Sequence, residues 1–193
     1  MSSNNLSFIS FLEGLLINET KKINRCYSLS GEITIEVDIS NLKATMLFLK
    51  DHESCLFKVF IDMFAVDYQH KENRFEVVYN LLSTKYNSRI KVKVFVNEFT
   101  PVPSIVDIYQ AANWSEREIW DMHGVYIEQH PDLRRILTDY GFEGYPLRKD
   151  FPLSGYNEVR YDESQKRVIY EQLELSQEFR VFHINSPWEV TKP

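Results

Sequence analysis

The sequence predicts an α+β fold, an antiparallel meander sheet packed with helices and followed by a long extended C-terminal arm. Three observations predict it. Three apolar runs joined by short polar turns, Lys58–Tyr68, Arg74–Ser83 and Arg89–Val96, read as consecutive antiparallel strands. Helical spacing and a strictly alternating stretch upstream supply a further strand and the covering layer. From Gly124 to Gly155 neither period survives. The division expected is therefore an α+β domain over residues 1–125 and an extended docking arm with C-terminal tail over 126–193.

Taken in order, Leu6–Ile17 is expected to be a short amphipathic helix. The start carries no positive n-region and Glu13 interrupts its apolar run, which is unlike a secretory signal or an Arg-rich transit peptide. Glu32–Asp38 (EITIEVD) places Ile33, Ile35 and Val37 on one face and charges on the other, the pattern of a half-buried strand. Ser40 offers an N-cap to Asn41–His52, where Leu42, Met46 and Leu49 recur at helical spacing. After the three strands, Ser104 is expected to cap a helix at Ile105–Ala112. Ser115 is expected to open a second with the capping box Ser115-x-x-Glu118, stopped by Gly124. Arg167–Leu175 reads as one more strand.

Composition excludes several function classes. The 193 residues carry 44% apolar side chains, enough for a core, and a net charge of -6, the wrong sign for a nucleic-acid surface. Two cysteines, Cys26 and Cys55, are too few for a disulfide scaffold, a four-ligand zinc site or an iron–sulfur cluster, and read as buried thiols. No apolar run reaches the roughly 20 residues of a membrane span.

Candidate chemistry is sparse. Glu118, Asp121, His123 and His130 invite a metal reading, but the two histidines lie across a helix end and a glycine, unlike an i, i+4 ligand pair. His130-Pro131-Asp132 reads as a turn with a side-chain cap. Asp139 and Glu143 could form an acid pair, and solvated loop is the simpler account. GxSxG, P-loop and GxGxxG motifs are all missing from the sequence.

The arm itself is the informative part. Four of the six glycines and three of the seven prolines lie between Gly124 and Gly155, interleaved with Tyr126, Tyr140, Phe142, Tyr145 and Phe151. Disordered segments are poor in aromatics, whereas interfaces are rich in aromatics and arginine. Arg134-Arg135 and Arg148-Lys149 could make forked ion pairs with carboxylates opposite. The residue types thus describe a scaffold with an extended docking arm.

The run EREIWDMHGVYIEQHPDLRRILTDYGFEGYPLRKDFPLSGYNEVRY, Glu116–Tyr161, resembles the signature of the 30-kDa subunit family of respiratory complex I (NADH:ubiquinone oxidoreductase). The likeness is long and ungapped. It extends upstream through RFEVVYNLLSTKYNSRIKV and downstream to FRVFHINSPWE, covering roughly Leu42 to Glu189. His123 stands where the family commonly has Phe or Tyr, and Tyr145 replaces a usual histidine.

The resemblance implies a non-redox structural and assembly subunit in the quinone-reducing module of a proton-pumping enzyme. The iron–sulfur clusters, FMN and ubiquinone would belong to partner subunits. The partners implied are chiefly the subunit forming the quinone site and adjacent iron–sulfur subunits, with no nucleic acid and no membrane span. The implied location is the matrix side of the mitochondrial inner membrane, or alternatively the cytoplasmic face of a bacterial one. The family's arm implies a partner interface at Glu116, Arg117, Glu118, Asp121, His130, Pro131, Asp132, Arg134, Arg135, Asp139, Tyr140, Phe142, Arg148, Lys149, Asp150, Phe151, Tyr156 and Arg160. The alternatives are the equivalent subunit of a membrane-bound hydrogenase complex and a free-standing soluble enzyme using the histidines.

Overall fold

The structure, a computed structural model, describes residues 23–29 and 32–182. The helix expected at Leu6–Ile17 lies outside them. The fold is α+β, with two α-helices and mixed sheets among the described residues.

The main sheet has five strands: β1 (Ile23–Leu29), β2 (Glu32–Val37), β3 (Val59–Asp67), β4 (Phe75–Ser83) and β5 (Ser88–Val96), in spatial order β1-β2-β5-β4-β3. β3, β4 and β5 pair antiparallel in chain order, while β2 enters parallel to β5. β1 has no clear signal in the sequence. Alternation places Ile33, Ile35, Val37, Phe75, Val77, Tyr79, Leu81, Ile90, Val92, Val94 and Val96 in one core.

Helix α1 (Leu42–Asp51) covers that core with Leu42, Thr45, Met46 and Leu49. Ser40 does not cap it. A 3-10 turn at Ile39–Asn41 leads directly into the helix, and the Asn41 amide donates to the Asp38 carbonyl at 3.0 Å.

The expected helix at Ile105–Ala112 is a set of tight turns instead. Helix α2 runs Ala112–His123, so Ser115 and Glu118 fall inside it and no capping box forms. The preceding turns do the capping: Ala112 and Asn113 amides donate to the Tyr109 and Gln110 carbonyls at 3.0 and 3.3 Å. Gly124 ends α2 in the left-handed conformation, φ 72°, with its amide on the Trp120 carbonyl. The chain then returns beside β6 (Val102–Pro103) as the short parallel strand β7 (Ile127–Glu128).

The chain divides into two compact units after Phe151, so the boundary expected at 125/126 falls within the first. The second unit carries an antiparallel hairpin, β8 (Asn157–Asp162) and β9 (Arg167–Gln172). β9 is the strand expected at Arg167–Leu175, shortened.

Leu49→Ala tests the core. Leu49 is fully buried on α1, and truncation is expected to cost about 2–5 kcal/mol. Urea unfolding should show a lower midpoint with an unchanged m-value.

Candidate functional site

The segment after α2 lacks periodicity because its path is set by polar groups on α2 and the β3–β4 turn, not by its own pattern. The buried side chains of α2 are Ala112, Glu116, Arg117, Ile119, Asp121 and His123, so four of the six are polar or charged. Three of those four, Glu116, Arg117 and Asp121, bond to chain segments outside the helix.

Asp121 is fully buried. Its Oδ2 accepts the amides of Ile136, Leu137 and Thr138 at 3.2, 2.7 and 3.0 Å, and its Oδ1 accepts the Thr138 hydroxyl at 2.6 Å. Burial pushes this carboxyl up, but the Thr138, Leu137 and Ile136 donors outweigh it and hold its pKa below the ordinary value. Arg135 Nη1 lies 3.6 Å from Asp121 Oδ1 and donates to the Gly144 carbonyl at 3.0 Å. One carboxylate thus fixes three consecutive residues of the segment.

Glu116 is buried on the same helix and accepts the Ser104 hydroxyl and the Ile105 amide, both at 2.7 Å. Burial raises its pKa, with those two bonds opposing. His130, its side chain fully enclosed, accepts the Asp132 amide on Nδ1 at 3.0 Å. That leaves the ring proton on Nε2, 3.2 Å from the Asn113 carbonyl. Arg117 Nε donates to the Arg134 carbonyl at 3.1 Å, with its guanidinium over Trp114.

The far end is latched to the sheet. Asp67, on the buried side of β3, accepts from Arg74 Nε and Nη2 at 2.7 and 2.8 Å and from the Lys149 amide at 2.8 Å. Arg74 also reaches Asp150 at 2.9 Å and pairs with Glu98. The hydrogen bond from Arg74 lowers the Asp67 pKa most, against burial. Arg148 Nε donates to the His123 carbonyl at 2.6 Å, with its guanidinium over the rings of Tyr145 and Phe75. A Cβ at Gly124 would sit 2.6 Å from Tyr145 Cε2, so glycine is required there by space as well as by φ.

The family resemblance implies a partner interface that includes Glu116, Asp121, His130, Arg135 and Arg148, and the sequence offers forked pairs from Arg134-Arg135 and Arg148-Lys149 to carboxylates opposite. Polar groups of all five bind within this chain, because buried carboxylates and guanidinia without partners would be too costly. Arg117, Lys149, Asp150 and Phe151 likewise bond or stack within the first unit, Phe151 against Phe142 at 5.9 Å. Arg134 pairs with neighbouring Asp132 at 2.8 Å on the surface, beside Pro131, and contributes little. Glu118 is exposed. Asp139 accepts the Tyr140 amide, leaving the Tyr140 ring 97% exposed. In the second unit, Tyr156 is exposed and Arg160 forks onto Glu171 at 2.7 and 2.8 Å.

The sequence reading does not find Asp67, Arg74 and Glu98. An acid inside the apolar strand KVFIDMFAVDY, with an arginine just across the turn, is the available signal. Among the described residues no three His, Cys, Asp or Glu side chains group as a metal site would require. Cys55 is buried, which pushes its thiol up to about 11 and makes it inert.

The arrangement is a sheet domain that holds an aperiodic, aromatic-bearing segment on its surface. Its family is shown by comparison. Residues 35–157 match the model of the respiratory-chain NADH dehydrogenase 30 Kd subunit, and the chain belongs to that family. NADH-ubiquinone oxidoreductase subunit 9 of Reclinomonas americana is 59% identical over 90% of this chain and 86% of its own length. A bacterial relative, an NADH-quinone oxidoreductase subunit of Paramagnetospirillum magneticum, is 54% identical over 87% of this chain and 82% of its own. In the fold alone, the chain resembles one from the membrane-bound sulfane sulfur reductase, an archaeal respiratory membrane complex. That match has TM-score 0.64 and 23% identity, over 78% of this chain and 86% of that one.

Two outcomes test the anchors. Asp121→Asn replaces an acceptor of four donors with an amide that can accept far less, and should cost about 2–4 kcal/mol at neutral pH. Lowered pKa values at Asp67 and Asp121 mean stability present above their ordinary value of 3.8 and lost as pH falls through the folded values. Glu116, raised above 4.5, works in the opposite direction. With two aspartates set against one glutamate, the urea midpoint should drop as pH falls below about 4, and less steeply in Asp121→Asn.

Proposed function

We propose that this chain is a structural and assembly subunit, without a redox centre of its own, in the quinone-reducing module of a proton-translocating NADH:quinone oxidoreductase. The observation carrying this is the exposed apolar surface of the second unit. Leu153, Tyr156, Val159, Tyr161, Val168, Tyr170, Leu175, Phe179, Val181 and Phe182 are each more than half exposed. On the hairpin, Val159 pairs with Tyr170 and Tyr161 with Val168, so these four share one face, while Arg160 and Glu171 lie on the other. A two-stranded hairpin is marginal alone in water, and a contiguous apolar face marks an interaction surface.

The occupants that fit are neighbouring subunits, chiefly the one forming the quinone site and the iron–sulfur subunits beside it. FMN, the clusters and ubiquinone reside in those partners. Names of relatives at 54–60% identity, mitochondrial and bacterial, support this over a hydrogenase-type subunit or a free-standing enzyme. The site of action is then a respiratory membrane, with the matrix or cytoplasmic side as the face. No helix among the described residues is long and apolar enough to cross it.

Copurification tests the reading. The tagged chain should bring down an NADH-oxidising assembly with flavin and iron–sulfur absorbance, while the chain alone should be colourless. Recovery as a lone chain, or one tightly bound metal per isolated chain, would contradict it. Tyr140→Ala and Tyr170→Asp should leave the urea midpoint of the isolated chain unchanged. Each should weaken docking by about 2 kcal/mol or more, seen as less assembled complex with normal turnover per complex.

A further inference from the structure

We propose that the outer edge of β3 receives an extended strand from a partner subunit, seated in the cleft between β3 and α2. That the partner is another subunit rests on the function proposed above; the strand addition rests on the following geometry.

β3 is nine residues long and lies at the edge of the sheet. Among the described residues, no backbone hydrogen bond reaches its outer side. The pairing register says which groups face out. Tyr68 donates to the Arg74 carbonyl, so Tyr68 and Arg74 form a hydrogen-bonded pair. Antiparallel pairs alternate, which makes Val66/Glu76 and Phe64/Val78 bonded pairs and turns the backbone of Met63, Ala65 and Asp67 away from β4. The Met63 amide is taken by Asp62 Oδ1 at 2.7 Å. Ala65, at the middle of the edge, and Asp67, at its end, remain.

A cleft of about 300 Å³ runs along this edge. Met63–Asp67 form one wall, Ile119, Met122 and His123 of α2 contribute to the other, and Leu147 and Lys149 also line it. Long apolar edges are usually blunted by charge, proline or cover. Here Val59, Ile61 and Phe64 are 39%, 46% and 40% exposed, and Asp62 is the one charge between Val59 and Val66. An edge strand beside a helix, with an apolar cleft between, is the geometry of peptide capture by strand addition.

Charge selects the occupant. Lys149 and Glu118 line the cleft, both exposed, and neither side chain is in an ion pair among the described residues. Lys149 lies by the Asp67 end, since its own amide bonds Asp67. The fitting partner is therefore an extended segment with alternate apolar side chains directed into the cleft, a carboxylate set against Lys149 and a basic group set against Glu118.

The test is amide hydrogen exchange on the full chain, isolated and in the assembled complex. Ala65 should exchange at least about tenfold more slowly in the complex. Ala65→Pro removes an outward N–H that β4 does not use, a substitution edge strands tolerate. It should lower the yield of complex several-fold, and Lys149→Glu should lower it also while Lys149→Arg should not. Equal exchange in both states would overturn the proposal, whether or not Ala65→Pro folds. Protection already present in the isolated chain would put a second copy or one of its own segments on the edge, and would overturn it too. Failure to copurify with any NADH-oxidising assembly would sink the subunit reading. A complex in which β3 exchanges as it does alone would sink only the strand addition.

Discussion

The buried carboxylate of Asp121 is the interaction on which the surface segment depends. An ion placed in a protein interior is tolerated only where hydrogen bonds replace its hydration. Asp121 obtains them from the backbone of Ile136, Leu137 and Thr138 and from the Thr138 hydroxyl. The converse also holds, because those amides have no secondary-structure partner and would otherwise turn to water. Carboxylate and segment therefore specify each other. Glu116 does the same for the turn at Ser104–Ile105, and Asp67 does so for Lys149 and Arg74.

This division of labour explains why large side chains occur in a stretch without helical or strand period. Polar side chains from α2 and the sheet carry the fold of that stretch, which leaves its own aromatics for two other uses. Tyr145 fills the space over Gly124 and carries the guanidinia of Arg135 and Arg148 on its ring. Tyr140 and the hairpin face Val159–Tyr161–Val168–Tyr170 project outward. Intramolecular anchoring and outward display are thus made by different residues, so a substitution can damage either without the other.

Much of the sheet is legible in the sequence because its residues follow the simple rule of alternation against one core. Ile33, Ile35 and Val37, and the apolar runs of β3, β4 and β5, can be read directly from their spacing. β1 cannot, since INRCYSL alternates weakly and owes its place to pairing with β2. The capping box at Ser115 misleads because a helix start is set by the preceding backbone as much as by its own side chains. The same limitation hides the anchors. Glu116 and Asp121 look like ordinary helix acids until the chain folds Ile105 and Ile136–Thr138 over them, and no local pattern encodes a contact 11–17 residues away. The arginine pairs of the signature suggest forks onto carboxylates, whereas within this chain Arg134, Arg135 and Arg148 make single bonds to Asp132 and to the Gly144 and His123 carbonyls.

Buried carboxylates of the domain, not a partner, fold the segment after α2. Amide exchange of Ile136, Leu137 and Thr138 in the isolated chain measures it most directly. These three amides should be strongly protected in the wild-type chain alone and unprotected in Asp121→Asn. Rapid exchange of all three in the isolated wild-type chain, with protection appearing only on assembly, would contradict it.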